Sequence, residues 1–109
     1  MKIQIPSVKD LGAIGQAVRK SQDFDQATIG AFSGSGINFV SQFENGKTTV
    51  EIGRVFELLN TLGINLSIDI PVPHGLEEKN SLMKHLKRAG VNVDFELTKN
   101  GSLRENSND

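Results

Sequence analysis

A tight, glycine-bearing turn between two short apolar segments is the feature of this sequence that most limits its fold. The turn is SGSG, which contains Gly34 and Gly36, and glycine reaches positive φ angles without steric cost. The flanking segments DFDQATIGAFSG and INFVSQFEN carry apolar residues at helical spacing. Asp25 can cap the first of them. The sequence therefore predicts two short helices joined by a close turn.

Longer helical segments lie on either side of this pair. The first follows Ser7, a candidate N-cap, and the last follows Thr48, which forms a capping-box pattern with Glu51 and precedes a stop at Gly63. In the first and second helices, the residues expected to face the core are Leu11, Ile14 and Val18, and Ile29 and Phe32. In the third helix they are either Ile37, Val40 and Phe43 or Phe39 and Phe43. In the fourth helix they are Ile52, Val55, Phe56, Leu59 and Leu62.

After Gly63 the hydrophobic period changes from helical to alternating. The segment INLSIDI has Ile64, Leu66, Ile68 and Ile70 on one side and polar residues on the other. This alternation predicts a half-buried strand that ends before Pro71. A strand needs a hydrogen-bonding partner, which can be either a later segment of the chain or a second subunit.

The remainder of the chain repeats this order of helix, glycine and alternating strand. The segment LMKHLKRAGVNVDFEL predicts a short helix over residues 81–89 and a strand over residues 91–97. The polar residues that follow are expected to be disordered. We therefore predict a domain over residues 1–70, a helix and strand extension over 71–98 and a disordered tail over 99–109.

Composition excludes several classes of protein. The chain has 109 residues and a formal net charge of −1, which argues against a generic polyanion binder. It contains no cysteine, so disulfides and thiolate metal sites are excluded. No apolar run is long enough to span a bilayer and the first residues lack a hydrophobic signal core, so a cytoplasmic location is expected.

The short helix after the glycine turn presents polar side chains suited to reading DNA. Two short helices joined by such a turn are a helix-turn-helix pattern, in which the second helix lies in the major groove. Asn38 and Gln42 can each make paired hydrogen bonds to adenine, and Ser41 can bond either kind of base. Candidate phosphate contacts come from two helix N-termini and their loops: Gln26 and Thr28, and Asn45, Lys47 and Thr48.

The segment DQATIGAFSGSGINFVSQFENGK resembles repressors of the XRE/Cro family. In that family a Gln begins the second helix and Glu-Asn-Gly follows the recognition helix, as Gln26 and residues 44–46 do here. The resemblance implies phosphate contacts by Gln26, Asn45 and Lys47. It implies that the base-reading positions are Ile37, Asn38, Ser41 and Gln42, with Phe39 close by.

Within that family the chain is most similar to HipB-like antitoxins, in which a strand follows the four-helix core directly. The resemblance implies that Ile64, Leu66, Ile68 and Ile70 pair with their copies in a second subunit. The fold expected is therefore mainly α: a four-to-five-helix XRE/Cro-type domain, a strand that pairs across a dimer, and a short α/β extension. The implied partners are a palindromic DNA operator, where the dimer represses its own operon, and a HipA-like Ser/Thr kinase toxin.

Other functions remain open at this point. A free-standing XRE-family repressor without a toxin would look almost the same through residue 70, and the core could also serve as a protein-interaction module that never binds DNA. An enzyme is disfavoured, because no catalytic triad or phosphate-binding loop is evident. No cofactor is expected, and His74 and His85 lack metal-ligand spacing. Arg19, Lys20, Lys47 and Arg54 can be read singly as plain surface charge.

Overall fold

Four helices occupy the first part of the chain, where their order follows the predicted one. The structure, a computed structural model, describes residues 1–91, 93, 95–97 and 103–105. The helices are α1 (Val8–Ser21), α2 (Gln26–Ser33), α3 (Ile37–Glu44) and α4 (Ile52–Leu62). They belong to a unit that covers Met1–Ser67, and a second unit covers Ile68–Asp109. Within the described part of the chain, no helix has the length and apolar character needed to cross a bilayer.

The helix caps agree with the sequence at α1 and α2 but not at α4. The Ser7 hydroxyl accepts a hydrogen bond from the backbone N–H of Asp10, and the Asp25 carboxylate accepts one from the N–H of Thr28 at 2.7 Å. The predicted capping box is wrong, because α4 begins only at Ile52, with Glu51 at its N-cap and no side-chain cap bond. Val50, in the loop before the helix, packs against the core and is partly buried.

The hydrophobic core lies between α2, α3 and α4. Its fully or nearly buried members are Ile29, Phe39, Val40, Phe43, Val55, Leu58, Leu59 and Leu62. Most of the expected inward positions are confirmed, but Phe32, Ile52 and Phe56 are largely exposed instead, as is Ile37, which belonged to one of the two alternatives for α3. On α4 the buried face includes Leu58, so the helix is rotated away from the face that the sequence indicated. Phe32 lies at the surface with its ring edge-on to Phe24, 5.7 Å between centroids.

Glycines allow α1 to pack closely on α3. Gly12 and Gly15 are the buried positions of α1 together with Arg19, whereas Leu11 and Val18 are only partly buried against the core. A Cβ atom at Gly12 would collide with the carbonyl oxygen of Phe43, and one at Gly15 would lie 2.9 Å from the Phe43 ring. The approach of the two helices therefore depends on the absence of side chains at these positions.

The second unit contains α5 (Leu76–Arg88) and two short antiparallel strands, β1 (Phe95–Leu97) and β2 (Leu103–Glu105). Helix α5 begins earlier than residue 81, the predicted start, because Gly75 is its N-cap and two glutamates occupy its first turn, where acidic residues favour a helix. Strand β2 lies in the tail for which we predicted disorder, so that expectation is wrong for its three residues. The other residues of 99–109 lie outside the described ones, as do residues 92 and 94 of the strand predicted over 91–97.

The segment 64–70 has no helix or strand assignment in the single chain. The partner of Phe95–Leu97 is Leu103–Glu105, with Phe95 opposite Glu105, and not the segment 64–70. Of the two partners that the sequence left open, the later segment is therefore not used by the described residues. Pairing with a second subunit stays a prediction, because a strand that pairs between two subunits cannot be observed in a single chain.

Candidate nucleic-acid interface

The turn between α2 and α3 fixes the angle at which α3 leaves the core. Gly34 has φ 74° and Gly36 has φ 86°, both in the region that favours glycine. The N–H of Gly36 donates to the carbonyl oxygen of Gly30 at 3.0 Å, and a Cβ atom at Gly30 would lie only 2.6 Å from the Gly36 backbone. The two helices are thus in close backbone contact at the turn, as the glycine pattern predicted.

Helix α3 has one buried and one exposed face. Phe39, Val40 and Phe43 form the buried face. The exposed face carries Asn38 and Gln42, with Ser41 half-buried beside them and Ile37 49% exposed at the start of the helix. The structure therefore brings Ile37, Asn38, Ser41 and Gln42 together on one surface.

Phe39 does not belong to this surface. It is 7% exposed, and its ring stacks on that of Phe43 with 6.4 Å between centroids. The guanidinium of Arg54 lies 5.9 Å from the centre of the Phe39 ring and is 3.4 Å from the carboxylate of Glu51. The expectation that Phe39 lies among the base-reading residues is corrected, because its side chain fills the core. Arg54 lies at the surface, as interpreted, with its side chain 57% exposed, and its guanidinium lies over this buried ring.

The loop after α3 folds back on that helix. The side-chain amide of Asn45 donates to the Ser41 hydroxyl, and Lys47 Nζ donates to Gln42 Oε1, each at 3.5 Å. The backbone N–H of Lys47 donates to the carbonyl oxygen of Gln42 at 3.0 Å. Asn45 and Lys47 are thus held next to the exposed face of α3, whereas Thr48 lies in the turn that follows.

Lys9 brings a further cation to this loop, and the sequence did not indicate it. A Cβ atom at Gly46 would lie 3.0 Å from Cγ of Lys9, so the Lys9 side chain packs against the glycine that ends the ENG motif. Lys9 belongs to the first turn of α1, far from the loop in sequence. Only the packing of α1 against α3 brings the two together, so no local pattern could have found it.

At the N-terminus of α2 the two predicted phosphate-binding residues differ. The backbone N–H of Thr28 donates to the Asp25 carboxylate at 2.7 Å, and the backbone and side chain of Thr28 lower the pKa of Asp25 below its ordinary value. The backbone N–H of Thr28 is therefore engaged within the protein by the helix cap. Gln26, the first residue of the helix, is half-buried and donates from Nε2 to Glu44 Oε1 at 3.0 Å.

Glu44 and Arg19 form a buried ion pair behind this surface. Arg19 Nε donates to Glu44 Oε2 at 2.6 Å and Nη2 donates to Oε1 at 2.9 Å, while Nη1 donates to the carbonyl oxygen of Phe24. The side chains are only 8% and 2% exposed. The interpretation of Arg19 as surface charge is therefore wrong. The sequence around Arg19 does not indicate its buried partner, because Glu44 lies 25 residues further along the chain.

The ion pair determines the charge state of both groups. The pKa of Arg19 is raised, chiefly by its hydrogen bond to Glu44. Burial favours the neutral form of Glu44, but hydrogen bonds from Arg19 and Gln26 outweigh it, and the pKa of Glu44 lies below its ordinary value. The side chain of Gln16 on α1 lowers the pKa of Glu44 in the same direction. Both groups are therefore charged near neutral pH, and Glu44 acts only as an acceptor.

Comparison with known proteins gives both a relative and a fold. No family model matches the chain. The chain is 40% identical over 73 residues to the HTH-type transcriptional regulator y4mF of Sinorhizobium fredii, which covers 67% of this chain and 93% of that protein.

Solved structures of HipB have the same fold at lower identity. A HipB–O4 20mer complex aligns with a TM-score of 0.59 at 20% identity, covering 63% of this chain and 97% of that one. A HipA–HipB–O2–O3 complex aligns with the same TM-score, identity and coverage. The similarity supports the expected HipB-like arrangement of helices around the α2–turn–α3 unit.

Proposed function

The chain belongs to the helix-turn-helix transcriptional regulators, and on that premise we propose that it is a dimeric repressor that binds a palindromic DNA operator. The observation that carries the proposal is the exposed face of α3, where Asn38, Ser41 and Gln42 stand on a helix whose other side is buried. In a helix-turn-helix protein this second helix enters the major groove. Two copies related by a two-fold axis would read two half-sites about one helical turn apart.

We assign base reading to four residues of α3. Asn38 and Gln42 suit adenine, because their amides match its paired donor and acceptor, and Ser41 can bond either kind of base. Ile37, which is 49% exposed, offers an apolar surface to a thymine methyl group. Asn45 and Lys47, hydrogen-bonded to Ser41 and Gln42, would also help to hold these side chains in place before DNA binds.

We assign phosphate contact to Gln26, Asn45, Lys47 and Thr48, with Lys9 as an added cation. Residues 1–70 contain six basic and seven acidic side chains, so non-specific attraction to DNA is weak. Specific binding must therefore depend on neutral donors as well as on the few exposed cations. A dimer doubles both kinds of contact, so we expect it to bind DNA with measurable affinity.

We further propose that the segment 64–70 forms the dimer by pairing with its copy. Leu66, Ile68 and Ile70 are 39%, 84% and 40% exposed in the single chain, and their alternation suits a strand with one buried face. Pairing across a two-fold axis would satisfy the backbone groups of this segment and cover these side chains.

The proposal extends to an antitoxin role. One solved structure with the same fold is a HipA–HipB complex on DNA. By analogy, we propose that this chain binds and restrains a HipA-like Ser/Thr kinase toxin, represses its own operon, and acts at the nucleoid in the cytoplasm without catalytic activity. This part rests on likeness of fold, so its test is separate: co-purification of the chain with the product of the neighbouring reading frame.

The main experiment measures binding of the chain to a duplex of its own promoter by fluorescence anisotropy. Asn38→Ala and Gln42→Ala should each weaken binding roughly 5- to 150-fold, the loss of one paired base contact. The matched control is Asn60→Ala, which removes an exposed amide from α4, outside the α2–turn–α3 unit. It should leave the affinity unchanged.

The same experiment distinguishes the alternatives. If the wild-type chain does not bind its promoter, with or without the neighbouring gene product, the repressor proposal is wrong and a protein-interaction module is favoured. Promoter binding by the dimer alone, with no complex formed with the neighbouring product, would leave a free-standing repressor. Equal losses in Asn60→Ala and Gln42→Ala would show that α3 is not the reading element.

A further inference from the structure

We propose that Glu44 is a positioning residue for DNA binding: it orients the side-chain amide of Gln26 toward the phosphate backbone. The inference rests on the proposed function, since it concerns how one of the assigned phosphate contacts is prepared. It adds a role for a buried residue that does not touch DNA itself.

The first step of the argument is that Glu44 offers Gln26 a fixed acceptor. Two nitrogens of Arg19 hold the Glu44 carboxylate at 2.6 and 2.9 Å, and its side chain is 2% exposed. Such a bidentate pair restricts both side chains to one arrangement. The oxygen that accepts from Gln26 therefore has a defined position in the protein, set by α1 and not by solvent.

The second step is that this acceptor selects one orientation of the amide. An ionised carboxylate accepts hydrogen bonds and cannot donate, so Gln26 must turn its NH₂ group and not its carbonyl oxygen toward Glu44. One N–H is used by Glu44, and the second N–H of the same nitrogen remains to bind a phosphate oxygen. The opposite orientation would direct the carbonyl oxygen to Glu44 and repel it.

The third step is the location of the bond in the fold. Gln26 is the first residue of α2, and Glu44 is the last residue of α3. Their hydrogen bond ties the phosphate-binding end of one helix to the far end of the reading helix. Glu44 thereby couples the placement of the predicted phosphate contact to the placement of α3.

The test is a double-mutant cycle on promoter affinity. Glu44→Gln keeps the size of the side chain but removes the obligatory acceptor, so the Gln26 amide can adopt either orientation. We expect binding to weaken by about twofold, the cost of an amide that is correctly oriented half of the time, up to about tenfold, the loss of one hydrogen bond. Gln26→Ala should cause a loss at least as large, and Glu44→Gln should cause no further loss in the Gln26→Ala background.

Arg19→Lys is the matched control for a purely structural effect. It keeps the positive charge but breaks the bidentate pair, which lowers stability while leaving an acceptor for Gln26. At a temperature where all variants are folded by circular dichroism, this variant should bind more weakly than wild type but lose less affinity than Glu44→Gln, because the acceptor remains although two hydrogen bonds no longer fix its position. A loss as large as that of Glu44→Gln would overturn the inference in favour of a structural role.

A second readout does not require DNA. The two side-chain amide protons of Gln26 should give separate NMR signals, one of them protected from exchange by Glu44, and this protection should disappear in Glu44→Gln. Unchanged signals, or additive losses of affinity in the double mutant, would overturn the inference while wild-type binding stands. Absence of promoter binding by the wild-type chain would instead overturn the proposed function, and this inference with it.

Discussion

Gly12, in the middle of α1, illustrates how a single residue controls the packing of two helices. Its missing side chain leaves room for the carbonyl oxygen of Phe43. We predict that Gly12→Ala lowers the free energy of unfolding by about 1–3 kcal/mol, because backbone atoms cannot move aside as a flexible side chain can. The measurement is urea denaturation followed by circular dichroism.

The control for this prediction is Gly53→Ala near the start of α4. A Cβ atom there would meet only the end of the flexible Glu51 side chain. Alanine is the better helix former, so Gly53→Ala should raise the unfolding free energy by about 0.5–1 kcal/mol. Destabilisation of similar size by both changes would contradict the packing account.

The ionisation of Glu44 predicts the acid dependence of stability. Its folded-state pKa lies below the ordinary value of 4.5, so the unfolded chain binds a proton more readily than the folded chain. The stabilisation should be fully present above about pH 4.5 and be lost as the pH falls through the folded pKa. Asp25, whose pKa is lowered by the Thr28 hydrogen bonds, acts in the same direction. Urea denaturation between about pH 7 and pH 3 measures the effect.

Glu44→Gln separates this residue from the other carboxylates. The variant cannot ionise at position 44, so its unfolding free energy should fall less steeply in acid than that of the wild type. An identical slope for both proteins would mean that Glu44 does not titrate differently in the folded and unfolded states. Asp25→Asn, measured in parallel, gives the share that belongs to the α2 cap.

At the scale of whole elements, the Arg19–Glu44 pair holds α1 against the end of α3. Arg19→Met leaves an unpaired carboxylate in a buried position, and we predict a loss of about 3–5 kcal/mol in unfolding free energy. Replacing both residues by Met should restore most of the stability, because no buried charge remains. If the double variant is no more stable than Arg19→Met alone, the loss does not come from the unpaired buried charge.

Structural features that depend on residues close together in the sequence were predicted well, and those that depend on contacts between distant residues were not. The caps of α1 and α2 and the glycine turn were predicted correctly, because each depends on residues a few positions apart. The exposure of Phe32 and Phe56 was missed, because both fit a helical apolar pattern and only the packing of neighbouring helices decides which apolar residues are covered. Arg19 and Lys9 were missed for the same reason, since their contacts join α1 to a distant part of the chain.

The residues of the candidate site also differ in whether local sequence or tertiary packing determines their position. The polar face of α3 follows from helical period alone, so Asn38, Ser41 and Gln42 could be chosen from the sequence. The inward position of Phe39 could not be distinguished, because both Ile37 and Phe39 are compatible with a buried face that includes Phe43. The Asp25 cap of α2 was predicted from the sequence. Its consequence, that the cap occupies a donor of the predicted phosphate-binding residue Thr28, was not.

At the scale of the whole molecule, the two units should differ in what they contribute. Every described member of the hydrophobic core lies between Ile29 and Leu62, within the first unit. We predict that a fragment of residues 1–67 keeps its helical circular dichroism and unfolds cooperatively, but associates more weakly than the whole chain because it lacks Ile68 and Ile70. Sedimentation velocity over a concentration series measures the association.

The whole chain and the fragment also test where stability comes from. An unfolded fragment would mean that the four helices need residues 68–109 to fold, either directly or through a dimer that these residues help to form. Equal self-association of the two would move the dimer interface away from Ile68 and Ile70.

The separation of the two faces of α3 has a consequence for how such a protein can change over generations. The side chains assigned to base reading lie outside the core, whereas their neighbours Val40 and Phe43 are completely buried. Under the proposed assignment, substitutions at Ile37, Asn38, Ser41 or Gln42 would therefore alter the preferred DNA sequence at little cost to folding. Duplicated genes of this kind can acquire different operators while keeping one scaffold, and selection on recognition and on stability acts on different residues of the same eight-residue helix.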